Sequence, residues 1–297
     1  MNCKNWLTTC GLKRRKPRKG VNVTFFNRDN EREVISMSYL NNNTGYRETL
    51  LSTRSVCKKE NYVILEPDGI VKNAIPGYEN CDTTILGSPA MGADFADYIS
   101  TVHPGGKNDA IGGNGIESFL YVINGKLTVK NADEEAELTE GGYIYSPADK
   151  PFSFVNNSDE DAFVYIYRRR YAALEGLSAH TVVANINDTE WKEYEGMANC
   201  HSKDFLPAAE DFGFDMNMHL LKFKPGACHG YMETHIQEHG MYFLQGKGMY
   251  RLDDEWIPLQ KGDYVFMDSY VPQACYGVGT EDFIYIYSKD CNRDVEL

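Results

Sequence analysis

Residues 225–239 read Pro225-Gly226-Ala227-Cys228-His229-Gly230-Tyr231-Met232-Glu233-Thr234-His235-Ile236-Gln237-Glu238-His239, and Gly246 follows seven positions on. Pro-Gly is a turn signal. Beyond it stand a carboxylate and two imidazoles, at 233, 235 and 239. Residues two apart on a strand share a face, so Glu233 and His235 project together. His239, four further on, can point back into the same interior from the next strand. Two imidazoles and a carboxylate converging in a barrel mouth suit a divalent first-row metal ion. Taken alone, His-x-x-x-His reads better as an exposed polar strand, and it is the surrounding pattern that changes this reading.

An earlier stretch carries a counterpart. His103-Pro104-Gly105-Gly106 matches Lys224-Pro225-Gly226-Ala227, with the Pro-Gly pairs 121 positions apart. The same interval separates Tyr121 from Tyr242, Gly125-Lys126 from Gly246-Lys247, Gly141 from Gly262, Tyr143 from Tyr264 and Pro151 from Pro272. Phe163-Val164-Tyr165-Ile166-Tyr167 and Phe283-Ile284-Tyr285-Ile286-Tyr287 match at 120. One interval held through turn glycines and strand aromatics marks an internal duplication. Between these points lie short runs rich in β-branched and aromatic residues, such as Phe119–Ile123 and Leu127–Val129, broken by Gly, Pro, Asn and Asp. Asn124-Gly125 predicts a tight hairpin, and Ser202–Phe212 is one helix-like stretch. The expected fold is all-β, two tandem β-sandwich or small-barrel domains, which also deals with the edges of so many short strands. The first copy is expected over 37–175 and the second over 176–297.

The chain has 297 residues, with 30 Lys and Arg against 43 Asp and Glu, a net charge of −13. Such a chain is a poor general binder of nucleic acid or anionic membrane. No apolar run approaches the roughly 18–20 residues of a membrane span. Residues 1–36 differ, with nine Lys or Arg against three Asp or Glu and a cluster at Lys13, Arg14, Arg15, Lys16, Arg18 and Lys19. They read as a basic, disordered, solvated extension. The eight cysteines are scattered, with no Cys-x-x-Cys pair. Reduced thiols and the want of a secretory signal point to the cytoplasm.

Moving the candidate ligand positions back by 121 lands on Gly112, Asn114 and Ser118, poor replacements for the carboxylate and imidazoles. The first copy is therefore expected to be metal-free and structural. His103, His180, His201, His219 and His229 have no partner at ligand spacing and read as structural or solvent-facing.

The pattern resembles the cupin superfamily. From 233 through 235 and 239 to Gly246 the spacing is that of His-x-His-x3-Glu-x6-Gly, with the residue types permuted. The second cupin motif, Gly-x5-Pro-x-Gly-x2-His, falls on Gly262, Asp268, Tyr270 and Gln273, so that Gln273 stands at the usual histidine and Phe152 at its counterpart in the first copy. The implied fold is a pair of double-stranded β-helix, or jelly-roll, barrels. Within the bicupins the chain is similar to the (S)-ureidoglycine aminohydrolase family from about Met37 to Leu297. The resemblance rests on Tyr39–Glu48, Pro67–Asn73, Gly213–His219, the Glu-x-His-x3-His set and the segment Tyr285–Leu297.

That resemblance implies hydrolytic deamination of (S)-ureidoglycine to (S)-ureidoglycolate and ammonia, in purine degradation through allantoin and allantoate. It implies metal binding by Glu233, His235, His239 and Gln273, and substrate contact by Glu233, Gln273, Tyr285 and Lys289. Glu233, Lys289 and Tyr285 are the candidates for catalytic roles, and Tyr250 is a candidate for the pocket lining. Oxygen donors and the lack of thiolates favour Mn²⁺ over Fe²⁺ or Zn²⁺. The family implies a homo-oligomer acting on a small molecule, with no nucleic-acid or membrane partner. Three other classes remain open: a non-haem iron oxygenase, a non-catalytic sugar- or metabolite-binding bicupin, and a storage or structural bicupin.

Overall fold

The computed structural model describes residues 39–46 and 48–295. The basic segment 1–36, expected to be disordered, lies outside these residues, as do Arg47, Glu296 and Leu297. Two short 3-10 turns, Pro67–Gly69 and Ile186–Asp188, are the only helices among the described residues. Everything else regular is β-strand, as the alternating aromatic and β-branched runs require. No helix among the described residues is long and apolar enough to cross a membrane.

The second half forms an eight-stranded sheet and a three-stranded sheet. The larger runs Val56–Lys58, Tyr62–Leu65, Tyr264–Met267, His239–Gln245, Phe283–Asp290, Met216–Phe223, Cys200–Asp204, Lys192–Glu193. The smaller runs Glu255–Gln260, Lys247–Leu252, Gln273–Val278. The first half is one nine-stranded sheet, with Ile116–Asn124, Ala162–Arg170 and Phe95–Ile111 side by side near its middle. Strands cross the expected division at 175/176 both ways. Tyr62–Leu65 pairs with Tyr264–Met267 in the second half, and Val182–Asn185 pairs with Gly142–Ser146 in the first.

Pairing reproduces the duplication residue by residue. Tyr121 opposes Tyr165 and Tyr143, while Tyr242 opposes Ile286 and Tyr264. Val122 opposes Val164, and Phe243 opposes Tyr285. The structural interval is thus 121 on this strand too, and the Phe-x-Tyr-Ile-Tyr match at 120 is one residue out of register. A slip of one turns every side chain to the other face. Val164 and Ile166 therefore fill the first barrel, while Tyr165 and Tyr167 pack in a layer shared with Met218, Leu220 and Tyr242. Tyr285 and Tyr287 point into the second barrel.

Two local expectations are corrected. Ile116–Asn124 and Lys126–Lys130 do not pair with each other; the first joins Ala162–Arg170 and Gly142–Ser146, the second Glu135–Thr139 and Phe152–Val155. Asn124-Gly125 is a corner between pairings rather than a hairpin. Gly125 has φ +81°, and a Cβ there would stand 2.7 Å from the Asp161 carbonyl oxygen, so only glycine fits. Gly246 makes the same corner in the second copy with φ +74°. Ser202–Phe212 is not helical: Cys200–Asp204 is a strand on Met216–Phe223, and a turn closes from Asp211 N to Pro207 O at 2.8 Å. Ladder pairing and burial of Cys200 and Lys203 override the weak helical period.

Candidate metal centre and its cavity

The Pro225-Gly226 turn begins the segment that carries the site. Gly226 takes φ +82° and Ala227 N bonds Lys224 O at 2.8 Å, as a turn with Pro then Gly at its centre should. The chain then runs along the Gln273–Val278 strand. His229 N bonds Cys275 O, and Glu233 and Gln273 exchange both backbone bonds at 2.8 Å. Two residues on, Tyr270 N bonds His235 O at 2.7 Å, with Tyr270 at φ +64° where the cupin motif carries glycine. His239 opens the next strand. Alternation therefore aims His229, Tyr231, Glu233 and His235 at one side.

These residues line a cavity of about 350 Å³. Every site residue expected from the sequence borders it: Glu233, His235, His239, Gln273, Tyr250, Tyr285 and Lys289. Tyr285 and Lys289 come from Phe283–Asp290, where they oppose Leu221 and Asn217. Tyr250 comes from the smaller sheet. Its hydroxyl donates to Gln273 Oε1 at 2.7 Å and lies 3.5 Å from the Tyr285 hydroxyl.

Both imidazoles are fixed by backbone carbonyls. His239 Nδ1 donates to Ser288 O at 2.7 Å, and His235 Nδ1 donates to Gln237 O at 3.0 Å. Each ring thus keeps its proton on Nδ1 and turns the Nε2 lone pair into the site, the arrangement that metal-binding histidines use. Burial lowers the proton affinity of both rings, the Lys289 charge adds to it, and His235 lowers that of His239 further. They stay neutral, as metal ligation requires. His235 Nε2 meets Gln273 Nε2 at 3.0 Å. A half-turn of that carboxamide brings its oxygen to the same place, with the Tyr250 hydroxyl as partner either way. Glu233 is raised by burial, against opposing contributions from Tyr194 and Lys289. Its Oε1 accepts from the Tyr194 hydroxyl at 3.2 Å. No three His, Cys, Asp or Glu side chains among the described residues form a metal-holding cluster by themselves. The donor set instead mixes two neutral imidazole nitrogens, a carboxamide and one carboxylate around one cavity. That mixture fits a divalent ion of intermediate hardness.

The cavity has members beyond those expected. Tyr287 packs against His239, with ring centroids 5.1 Å apart, and stacks on His219 at 4.9 Å. His229 is buried rather than solvent-facing. Its Nδ1 accepts from Cys275 N at 2.8 Å, and burial pushes its pKa down to about 4. Carrying the alternation back from Glu233 would have found His229 and Tyr231. Nothing in the sequence singles out Tyr194, which reaches the cavity from a turn 39 residues upstream of Glu233. Three of the other histidines face carboxylates: His103 pairs with Asp161 and Asp82, His180 with Asp211, and His219 with Asp204. Cys275 is buried and Cys228 exposed.

The first copy offers no counterpart. Phe152 is fully buried in the barrel, and Gly112 has φ +83° with room for a Cβ denied by Ser118.

A cupin-domain model matches residues 98–167 and 219–288, once in each half. The (S)-ureidoglycine aminohydrolase of Escherichia coli strain K12 is 54% identical over 263 residues, covering 88% of this chain and all of the relative. The (S)-ureidoglycine aminohydrolase of Arabidopsis thaliana is 28% identical, covering 88% of this chain and 84% of the relative. A crystal structure of the Escherichia coli protein Ylba superposes with a TM-score of 0.76 at 52% identity, over 85% of this chain and all of that one. With identity this high across a whole relative, and a cupin unit in each half, the chain belongs to the (S)-ureidoglycine aminohydrolase family of bicupins.

Proposed function

We propose that this chain hydrolyses (S)-ureidoglycine to (S)-ureidoglycolate and ammonia, with a divalent metal ion held in the second barrel. The observation that carries the reading is the meeting, in one cavity, of all six residues that the family resemblance implicates, with Tyr250 beside them. The 54% identity to the Escherichia coli relative supports the same substrate.

The substrate carbon bears an amine, a ureido nitrogen, a hydrogen and a carboxylate. Donation from the ureido nitrogen expels the amine as ammonia and leaves an acyl-imine, to which water adds. The intrinsic barrier is low, so the protein's task is to orient the substrate and to fix the face that water attacks. Lys289 pairs with the carboxylate as a compact ammonium. Tyr285 and Tyr250 are held by burial far above the ordinary phenol range and act as neutral hydroxyl donors. Glu233 is the one carboxylate among the four donors and the candidate to move a proton between attacking water and leaving amine. Glu233, His235, His239 and Gln273 would hold Mn²⁺ in preference to Fe²⁺ or Zn²⁺, and the ion when bound supplies a Lewis acid and a template for the substrate. The reading includes a cytoplasmic homo-oligomer, for which the exposed Tyr46, Leu50 and Leu51 supply apolar surface.

The test uses ureidoglycine generated in situ from allantoate. Ammonia release and the handedness of ureidoglycolate are followed with Mn²⁺ and with chelator. Metal-dependent formation of the S product supports the reading. Racemic product at the background rate in both conditions sinks it. Oxygen uptake would move the site to the oxygenase class.

A further inference from the structure

We propose that Tyr194 is the positioning residue for Glu233, holding one carboxylate oxygen so that the other is presented to the metal position. This rests on the metal reading above. The four donors are otherwise each oriented from behind: His235 by the Gln237 carbonyl, His239 by the Ser288 carbonyl, Gln273 by the Tyr250 hydroxyl. Glu233 has the Tyr194 hydroxyl on Oε1 at 3.2 Å, which leaves Oε2 as the oxygen without a protein hydrogen bond among those observed. A carboxylate tied at one oxygen binds a metal through the other, with its rotamer chosen in advance.

Tyr194 is itself firmly placed. It begins a turn closed by Met197 N to Tyr194 O at 2.9 Å, Cys200 N to Met197 O at 3.1 Å and Tyr194 N to Cys200 O at 3.0 Å. The turn is tied to the ligand-bearing segment on both sides, by Lys224 N to Asn199 O at 3.1 Å and by Gly230 N to Met197 Sδ at 2.9 Å. The Tyr194 ring packs 6.3 Å from that of His229. The hydroxyl therefore arrives from an element outside both cupin motifs, and the two motifs by themselves leave Glu233 unoriented.

The experiment titrates the full-length metal-free chain with Mn²⁺ alone, following free ion by its electron paramagnetic resonance signal. Tyr194→Phe keeps the ring and deletes the hydroxyl. Its Mn²⁺ dissociation constant is expected to rise about 10- to 100-fold, the usual cost of losing a group that orients a ligand. The thermal midpoint of the metal-free protein should stay within about 2 °C, since the ring packing survives. In a Glu233→Ala background, Tyr194→Phe should change Mn²⁺ affinity less than about twofold, because the two act through one carboxylate. Loss of less than about twofold in the otherwise unaltered chain overturns the proposal, and so does an equal loss in the Glu233→Ala background. If the unaltered chain takes up no Mn²⁺, the metal reading falls and this proposal with it.

Discussion

The two barrels share one hydrogen-bond register and differ in what they enclose. The first is filled by Val102, Leu120, Val122, Phe152, Phe154, Val164 and Ile166, all apolar and all buried. The second places Tyr285 and Tyr287 where the first has Val164 and Ile166, and Gln273 where it has Phe152. It encloses a cavity of about 350 Å³ and buries His239 and Gln273 beside it. The same frame thus carries a packed apolar interior in one half and a polar cavity in the other. The apolar packing of the first barrel contributes about 1.5–3 kcal/mol for each large side chain buried.

The largest expected effect separates the barrels by activity. Glu233→Ala should lower kcat with ureidoglycine by about 10³-fold or more, since the proposed function makes Glu233 both a metal ligand and the proton carrier. Its thermal midpoint in chelator should hardly move. The mirror experiment is Phe152→Ala, which should cost about 3–5 kcal/mol in urea unfolding, the range for truncating a buried Phe. The folded fraction should retain its kcat. An activity loss in this variant beyond its unfolded fraction would show that the first barrel is more than a support.

Within the second barrel, Lys289→Met should raise KM about 10- to 100-fold with a smaller effect on kcat, as loss of a charged hydrogen bond to substrate costs about 1.5–3 kcal/mol. Lys289→Arg should restore part of it. The smallest effect concerns the layer between the barrels. Asp97 is fully buried and accepts from Tyr165 at 2.7 Å and Tyr264 at 2.6 Å. Burial pushes its carboxyl up to about 7, only partly offset by the two hydroxyls. The folded protein thus holds a proton that the unfolded chain releases near pH 4. Stability from this group is full below pH 4 and declines as pH rises towards 7. Asp97→Asn should remove that slope, seen as a thermal midpoint that gains on the unaltered chain between pH 4 and 7.

Much of this was legible in the sequence. The interval of 121 announced two copies, and Gly112 and Phe152 at the ligand positions are why the first copy is expected to hold no metal. Glu233, His235 and His239 were visible because a strand's period of two, together with the cupin spacing, leaves few other readings. The register of Phe283–Tyr287 was less visible: the same five-residue pattern recurs at 120, and only the pairing with Phe243 and Leu221 shows that its faces are exchanged. Asn124-Gly125 has the composition of a hairpin turn, yet which strands flank it in space is a matter of sheet order, which local chemistry does not carry. Tyr194 and the strand exchange at 56–65 and 182–185 were illegible for the same reason, since each depends on contacts between segments far apart in the chain.

The central claim is that one barrel holds the metal and the other does not. Metal content per chain after reconstitution with Mn²⁺ and removal of free ion tests it most directly. One ion per chain is expected, falling to none in His235→Ala/His239→Ala. Two ions per chain, or one ion that survives the loss of both imidazoles, would contradict it.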